Sequence, residues 1–477
     1  MHTLSRISLT TLVAAVAGTT LGQTTRTVGP NLMDFDHLTI TAAIAASENG
    51  DTILVEPDVY PENLVISGLA VTIENANPSA GEVVIFGQGL GRGLLLPGNA
   101  GSNVTLRDLV FEGGVTYSSG SRGGVAVSGG NTALIERCVF RNNEADRDGG
   151  GLFAAGVVTV RDSVLENNLA GDDGGGIYLG GSGLDATLED LVIRNNMSES
   201  TGGGVAYESE GERASFTRLT IENNTAANQG GGFALLGGTS AGAVRVDDST
   251  FIGNTSINNR GGAFWVSDLD TGRVVNCLFI DNAAPLSGGA VRNEGFFDAI
   301  SCTFVGNASD TVADTFDTSG GDTTLIVNCI VVNESADSHA GVGSFIPLFS
   351  ILPEDPTGTP NSNGSFNADP MFVDAANGDF RLMAGSPAID AGRSLGTFGG
   401  IEITSLLTDF DGNVRNLDDT DTPNTGVPAW ELNIDLGAYE FQPSAPPSDC
   451  PADQNFDGIL SPADFNSWIL NYNAGCD

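Results

Sequence analysis

The residues best spaced for chemistry lie at the C-terminal end of the chain, in the stretch DQNFDGILSPAD. Asp453, Asn455 and Asp457 stand at positions 1, 3 and 5 of a twelve-residue loop, and Gly458 stands at position 6. Ile459 offers its carbonyl at position 7, Ser461 stands at 9 and Asp464 closes the loop at 12. Oxygen donors at these offsets converge on one hard cation, because the glycine permits the sharp turn that folds them inward. The chemistry implied is calcium binding, with one-handed ligation from Asp464 where a glutamate would grip with both oxygens. A helix is expected directly after the loop. Ser461 caps it, Pro462 fits its first turn, and Phe465, Trp468, Ile469 and Tyr472 form an apolar face at helical spacing. Cys450 and Cys476 bracket a unit too small to hold itself by burial alone, and they are the expected disulfide.

A second set of residues could do acid–base work. Asp146, Asp148, Asp172 and Asp173 each lie just before a Gly-Gly pair. Two facing carboxylates suffice for glycoside hydrolysis. Arg137, Arg141 and Arg194 fall nearby in repeat phase. The competing reading is a solvated acidic edge that limits aggregation. Tyr178, Tyr207, Phe233 and Trp265, all near Gly-Gly pairs, would stack on sugar rings if they point outward and would fill the core if they point inward. Much else is excluded by inventory. All 19 basic residues are Arg, so no lysine base or Schiff base exists, and the only histidines are His2, His37 and His339. A second acidic run, Asp409 to Asp419, imitates a calcium loop, but position 12 is Thr420, so it reads as an Asp-rich turn.

The elements that must position these residues are repeats. An apolar-x-x-Asn tetrapeptide places Asn at 143, 168, 196, 224, 254, 282, 307 and 333, with spacings of 25, 28, 28, 30, 28, 25 and 26. Gly-Gly pairs keep step at Gly123, Gly149, Gly174, Gly202, Gly230, Gly261 and Gly288. Between the markers, apolar residues alternate at period two, as Val158 and Val160 do before a corner at Arg161-Asp162, which makes the segments strands. No repeat has room for a crossover helix. The expected fold is all-β: a right-handed parallel β-helix, a solenoid of two or three short strands per coil. Coils about 4.8 Å apart would stack the Asn residues into an amide ladder at a corner that tolerates left-handed backbone. The Gly pairs would supply positive φ at another corner. Cys277 and Cys302 would stack on adjacent coils, either as a disulfide or as two free buried thiols.

Composition agrees. Gly is 65 of 477 residues, which disfavours a helical globule. The net charge of −41 repels nucleic acid and anionic membranes. Arg6, the apolar run from Ile7 to about Ala17, and the small residues after it form an expected secretory signal peptide, 1–22. The mature chain is then exported, to the extracellular space or the cell surface, without a transmembrane segment. The remaining boundaries are an N-terminal cap and first coils (23–100), β-helix repeats (101–350), C-terminal coils and cap (351–441), a Pro/Ser linker (442–449) and an α, EF-hand-like calcium module (450–477). The N-terminal cap should contain a short helix with Ile40, Ala43 and Ile44 inward, a stop at Gly50-Asp51, and a strand over Thr52–Val55.

Three resemblances bear on function. The paired Gly-Gly and Phe-x-x-Asn markers over residues 100–335 resemble the polymorphic outer-membrane-protein repeat of the pectin-lyase-like superfamily. That resemblance implies action on, or binding to, polysaccharides. Its lyases use an Arg or Lys base, and the Lys form is excluded here. The Gly-His-Gly and Arg-x-Lys elements of polygalacturonase-like hydrolases are missing from the sequence. Residues 38–67 and 367–441 resemble the opening and closing segments of bacterial β-helices of this kind. Residues 450–477 resemble one repeat of a type I dockerin, which implies calcium and a cohesin-like anchor, although a full dockerin carries two loops. The expected function is a secreted or surface β-helix that binds glycan or adheres to a surface partner and is held through its calcium-binding tail. The alternative is a polysaccharide lyase or glycoside hydrolase.

Overall fold

The computed structural model describes residues 23–442, apart from 90, 117–122, 209–212, 238–242, 269, 312–313, 321, 333–337, 354–362, 395, 399–400, 404–405, 416, 420 and 427–433. The expected leader, the calcium module and all but the first residue of the linker lie outside the described residues. So does Asn333.

A coil is built from three or four strands, the first two merging into one ten-residue strand in Asp185–Arg194 and Arg213–Glu222. In one four-strand coil the strands are Thr132–Glu136, Val139–Arg141, Glu144–Ala145 and Leu152–Ala154. The first two join a 22-stranded sheet, the third an 8-stranded sheet and the fourth an 11-stranded sheet. Successive coils pair in parallel and in register, as Ala133 with Val158 and Ile135 with Val160. Between the first two strands of a coil the chain turns through left-handed backbone. Asp108, Arg137, Asp162, Asp190, Arg218 and Asp248 hold that corner with φ between 48° and 55°. Asp and Asn bear this conformation better than most residues, because the short polar side chain bonds locally.

The Asn ladder forms, but the two Asn residues of each pair do different work. The first carries the left-handed backbone: Asn142, Asn167, Asn195 and Asn223 have φ of 54–55°, and Gly253, Asp281 and Gly306 replace it in later coils. The second builds the ladder. Asn143, Asn168, Asn196, Asn224, Asn254 and Asn282 each donate Nδ2 to the Oδ1 of the next Asn at 2.9–3.0 Å, ending on Asn307. Each also donates to a backbone carbonyl about one coil's length back in sequence, as Asn224 does to Ile193 at 2.8 Å. The ladder is therefore buried and satisfied, which is the condition for polar groups inside a core. Gly174, at φ 71°, shows what the Gly-Gly corner requires, and a Cβ on Gly175 would meet the Met197 carbonyl oxygen at 2.4 Å.

Inward columns fill the coil. Phe251, Phe279 and Phe304 stack with centroids 4.6 Å apart. Cys277, Cys302 and Cys329 share one inward column, and the Cys277 amide donates to Cys302 Sγ at 3.4 Å. These three and Cys138 are free buried thiols, so the stacked-thiol alternative holds for Cys277 and Cys302. At the N-terminal end a strand, Thr25–Val28, pairs with Asp51–Val55 ahead of the expected helix. The helix Ile40–Ala46 is capped by Thr39, and Glu62 accepts the amides of Ile40 and Thr41 at 2.8 Å.

The segment after the last coil does more than close the end. It folds back along the outer face of the 22-stranded sheet. Ile403, Leu406 and Ile434 cover Val275, Ile300 and Val327, while Phe380, Ala438 and Tyr439 cover Leu278. The Val275 column points outward and carries charge in earlier coils, where its members include Glu136, Arg161 and Glu189, whereas the Leu278 column carries Val or Thr there. Asp409 is 2% exposed and accepts the amides of Asn413 at 2.8 Å and Glu440 at 3.0 Å, so it serves as the pivot of this fold-back turn.

Candidate functional site

The three acids nearest the Gly-Gly corner come together. Arg147 bonds Asp172 at 3.4 Å, and Asp173 accepts the amide and hydroxyl of Thr201 at 3.0 and 2.7 Å. Asp148 lies half-buried beside them. Burial pushes its carboxyl up to about 6; Arg147 works against that rise, and the charges of Asp172 and Asp173 add to it. Asp146 is exposed and stands apart. The acidic edge is short. Thr201, Gln229, Arg260 and Ser287 take the equivalent position before the Gly corner in the following coils, so a continuous acidic column does not form.

The aromatic candidates divide by strand parity. Tyr207 and Phe233 point into the core and are buried within it. Tyr178 and Trp265 point outward from the 11-stranded sheet, in a column that the register defines as Leu95, Ala126, Phe153, Tyr178, Ala206, Ala234, Trp265, Arg292 and Asp317. Phe153 and Tyr178 stack at 5.4 Å and are largely buried. The Tyr178 hydroxyl donates to Glu208 at 2.5 Å, and burial together with that carboxylate raises its pKa above the ordinary phenol value.

Trp265 is half-buried and held in place. Its Nε1 donates to Glu294 at 3.1 Å, and Glu294 accepts from Arg292 at 2.8 and 3.0 Å. Arg292 also bonds Asp317 at 2.8 Å, and Arg260 bonds the same Asp317 oxygen at 3.1 Å. Ser287 donates to it as well. This network interrupts a column that is otherwise apolar or small. The repeat reading did not find it, although the signal is present: Arg292 and Asp317 fall where Ala206 and Ala234 stand in earlier coils.

The arginines placed near the acids by repeat phase lie elsewhere. Arg137 pairs with Asp108 at 2.8 Å, Arg141 with Glu112 at 2.8 Å, and Arg194 with Glu166 at 2.7 Å, all around the 22-stranded sheet. Arg107 and Arg161 both pair with Glu136, and Arg218 pairs with Glu189 and Asp190. Cross-coil register puts opposite charges on neighbouring strands, and the guanidiniums are spent there. Among the described residues no group of three or more His, Cys, Asp or Glu is arranged to hold a metal, and no helix is long and apolar enough to cross a membrane. The calcium ligands Asp453, Asn455, Asp457, Ile459, Ser461 and Asp464, and the Cys450–Cys476 pair, lie outside the described residues.

No curated protein matches the chain. Among solved structures, the crystal structure of pectate lyase Pel9A is similar at 15% identity, covering 88% of this chain and 97% of that one with a TM-score of 0.46. A family model described as a right handed beta helix region matches residues 89–251, and the described chain is a right-handed parallel β-helix.

Proposed function

We propose that this is an exported polysaccharide-binding protein of the cell surface, whose contact face is the outer side of the 11-stranded sheet. The observation that supports it most is Trp265: a half-buried indole fixed by Glu294 and Arg292 on an outward column. A rigid aromatic stacks on the apolar C–H face of a sugar at little entropic cost. Removing it should matter more than removing any rim charge. Trp265→Ala is expected to weaken retention in affinity gels containing the bound polysaccharide by about tenfold, with the unfolding midpoint little changed. Undiminished retention would sink the proposal.

In this reading the tail, 450–477, binds calcium and tethers the protein through a cohesin-like or related surface partner. Titration calorimetry on the full chain should show calcium binding that Asp457→Ala removes, because loop position 5 is then lost. No heat in the unmodified protein would remove the tail assignment.

A second reading has its own observation. Asp148, pushed up to about 6 beside Asp172 and Asp173, is suited to donate a proton near neutral pH while a neighbour stays ionised. That favours a glycoside hydrolase over a lyase. Release of reducing ends from a polysaccharide panel, abolished in Asp148→Asn, would establish it.

A further inference from the structure

The charge of the proposed contact face narrows the class of polysaccharide, an inference that rests on the binding reading above. Six carboxylates line the face: Asp148, Asp172 and Asp173 at one edge, Glu208 beside Tyr178, and Glu294 and Asp317 beside Trp265. Three guanidiniums accompany them, and each is already engaged. Arg147 bonds Asp172, Arg260 bonds Asp317, and Arg292 bonds Glu294 and Asp317. The stretches outside the described residues that adjoin these strands in sequence add no net positive charge, since 117–122 reads YSSGSR, 209–212 reads SEGE and 238–242 reads GTSAG. Among these described residues the acids outnumber the bases two to one, and Asp322 adds a further carboxylate near Arg292 and Glu294, on a chain whose net charge is −41.

A uronic-acid polymer would bring one more carboxylate with every sugar. To be recognised here it would need a guanidinium released from an existing pair, and each release leaves a buried or half-buried acid unmatched. Asp317 is 5% exposed, so its loss of Arg292 would be costly. Like charges brought together also slow encounter and oppose the wrong partner. An uncharged sugar meets the opposite situation. Its hydroxyls donate to fixed carboxylates, and such charge-assisted bonds are the strong ones. Its C–H face lies on the Trp265 ring.

We infer that the outer face of the 11-stranded sheet selects uncharged polysaccharide and rejects polyuronate. The test uses polymer pairs of one backbone each that differ chiefly in charge: polygalacturonate with its methyl-esterified form, and carboxymethyl- with hydroxyethyl-cellulose. The full-length protein and Trp265→Ala would be compared in affinity gels at about 20 mM and about 500 mM NaCl. The uncharged member of at least one pair should bind at least about tenfold more tightly at low salt, change less than about twofold with salt, and lose its advantage in Trp265→Ala. Equal or tighter binding of the acidic member at low salt, dependent on Trp265, would overturn the selectivity while leaving the contact face standing. Binding of neither pair, or binding indifferent to Trp265, would overturn the contact face and the selectivity with it.

Discussion

Asn224→Ala should destabilise the solenoid by about 4 kcal/mol, while Asn223→Gly, one residue earlier, should change stability by less than about 1 kcal/mol. The contrast follows from the division of labour in the corner. Asn224 is fully buried, donates Nδ2 to Asn254 Oδ1 at 3.0 Å and to the Ile193 carbonyl at 2.8 Å, and accepts both the amide and Nδ2 of Asn196 at 3.0 Å. Alanine leaves the Ile193 carbonyl, the Asn196 amide and one Nδ2 hydrogen without partners. Each buried orphan costs about 1–3 kcal/mol. Asn223 sits at φ 54°, where glycine is at ease and a β-branched residue is not. The measurement is the unfolding midpoint in urea for both variants, with limited proteolysis to locate the opening. Coils contact only their neighbours, so cleavage should concentrate around the altered rung. Equal effects of the two substitutions would contradict the assigned roles.

Arg415→Met should detach the C-terminal segment from the side of the helix. Arg415 is buried and is the cation of a buried acidic network. Its Nη2 donates to Asn276 Oδ1 at 3.0 Å and to the carbonyls of Gly437 and Ala438 at 3.1 and 2.7 Å, and Nη1 lies 3.5 Å from Glu440. Glu440 accepts the amides of Leu417 and Asp435 at 3.1 Å, and Asp435 accepts that of Asp390 at 2.8 Å. Without the guanidinium, the buried Glu440 carboxylate stands unmatched, a situation that costs about 3–5 kcal/mol. Release would expose the apolar positions Val275, Ile300 and Val327, so dye binding to exposed apolar surface should rise with proteolysis of 401–441.

The same network sets a pH dependence. Burial, with the charge of Glu440, raises Asp435 well above the usual carboxylate range, and burial lifts Asp390 from 3.8 to about 6. The folded segment therefore holds protons that the unfolded chain has released. That stabilisation is complete below the ordinary carboxylate value and is lost as pH rises through about 6 for Asp390 and higher for Asp435. Amides of the segment should exchange faster at pH 8 than at pH 5 after correction for intrinsic rates. Slower corrected exchange at pH 8 would reverse the sign and refute the account.

Much of this was legible in the chain itself. Period-two alternation and the 25–30-residue return of Gly-Gly and Asn require stacked parallel strands, because each strand can bury its apolar side only against the next coil. Even the sorting of aromatics was present as parity. Tyr178 and Trp265 stand four residues after the left-handed glycines Gly174 and Gly261, whereas Tyr207 and Phe233 stand five and three after Gly202 and Gly230. Alternate residues face opposite sides of a strand, so offsets of three and five go inward and four goes outward.

The repeat alone did not decide which outer surface is covered or which charges meet. The runs around Val275, Ile300 and Val327 lose their polar alternation, which marks strands buried on both faces, but nothing local names the partner. Arg415 reaches Asn276 across 139 positions, and Arg260 meets Asp317 only because register aligns their coils. Local pattern sets the direction of a side chain from its neighbours along one strand. Contacts between distant segments arise only when the stacked coils bring those directions to one place, and both the candidate site and the fold-back segment are made of such contacts.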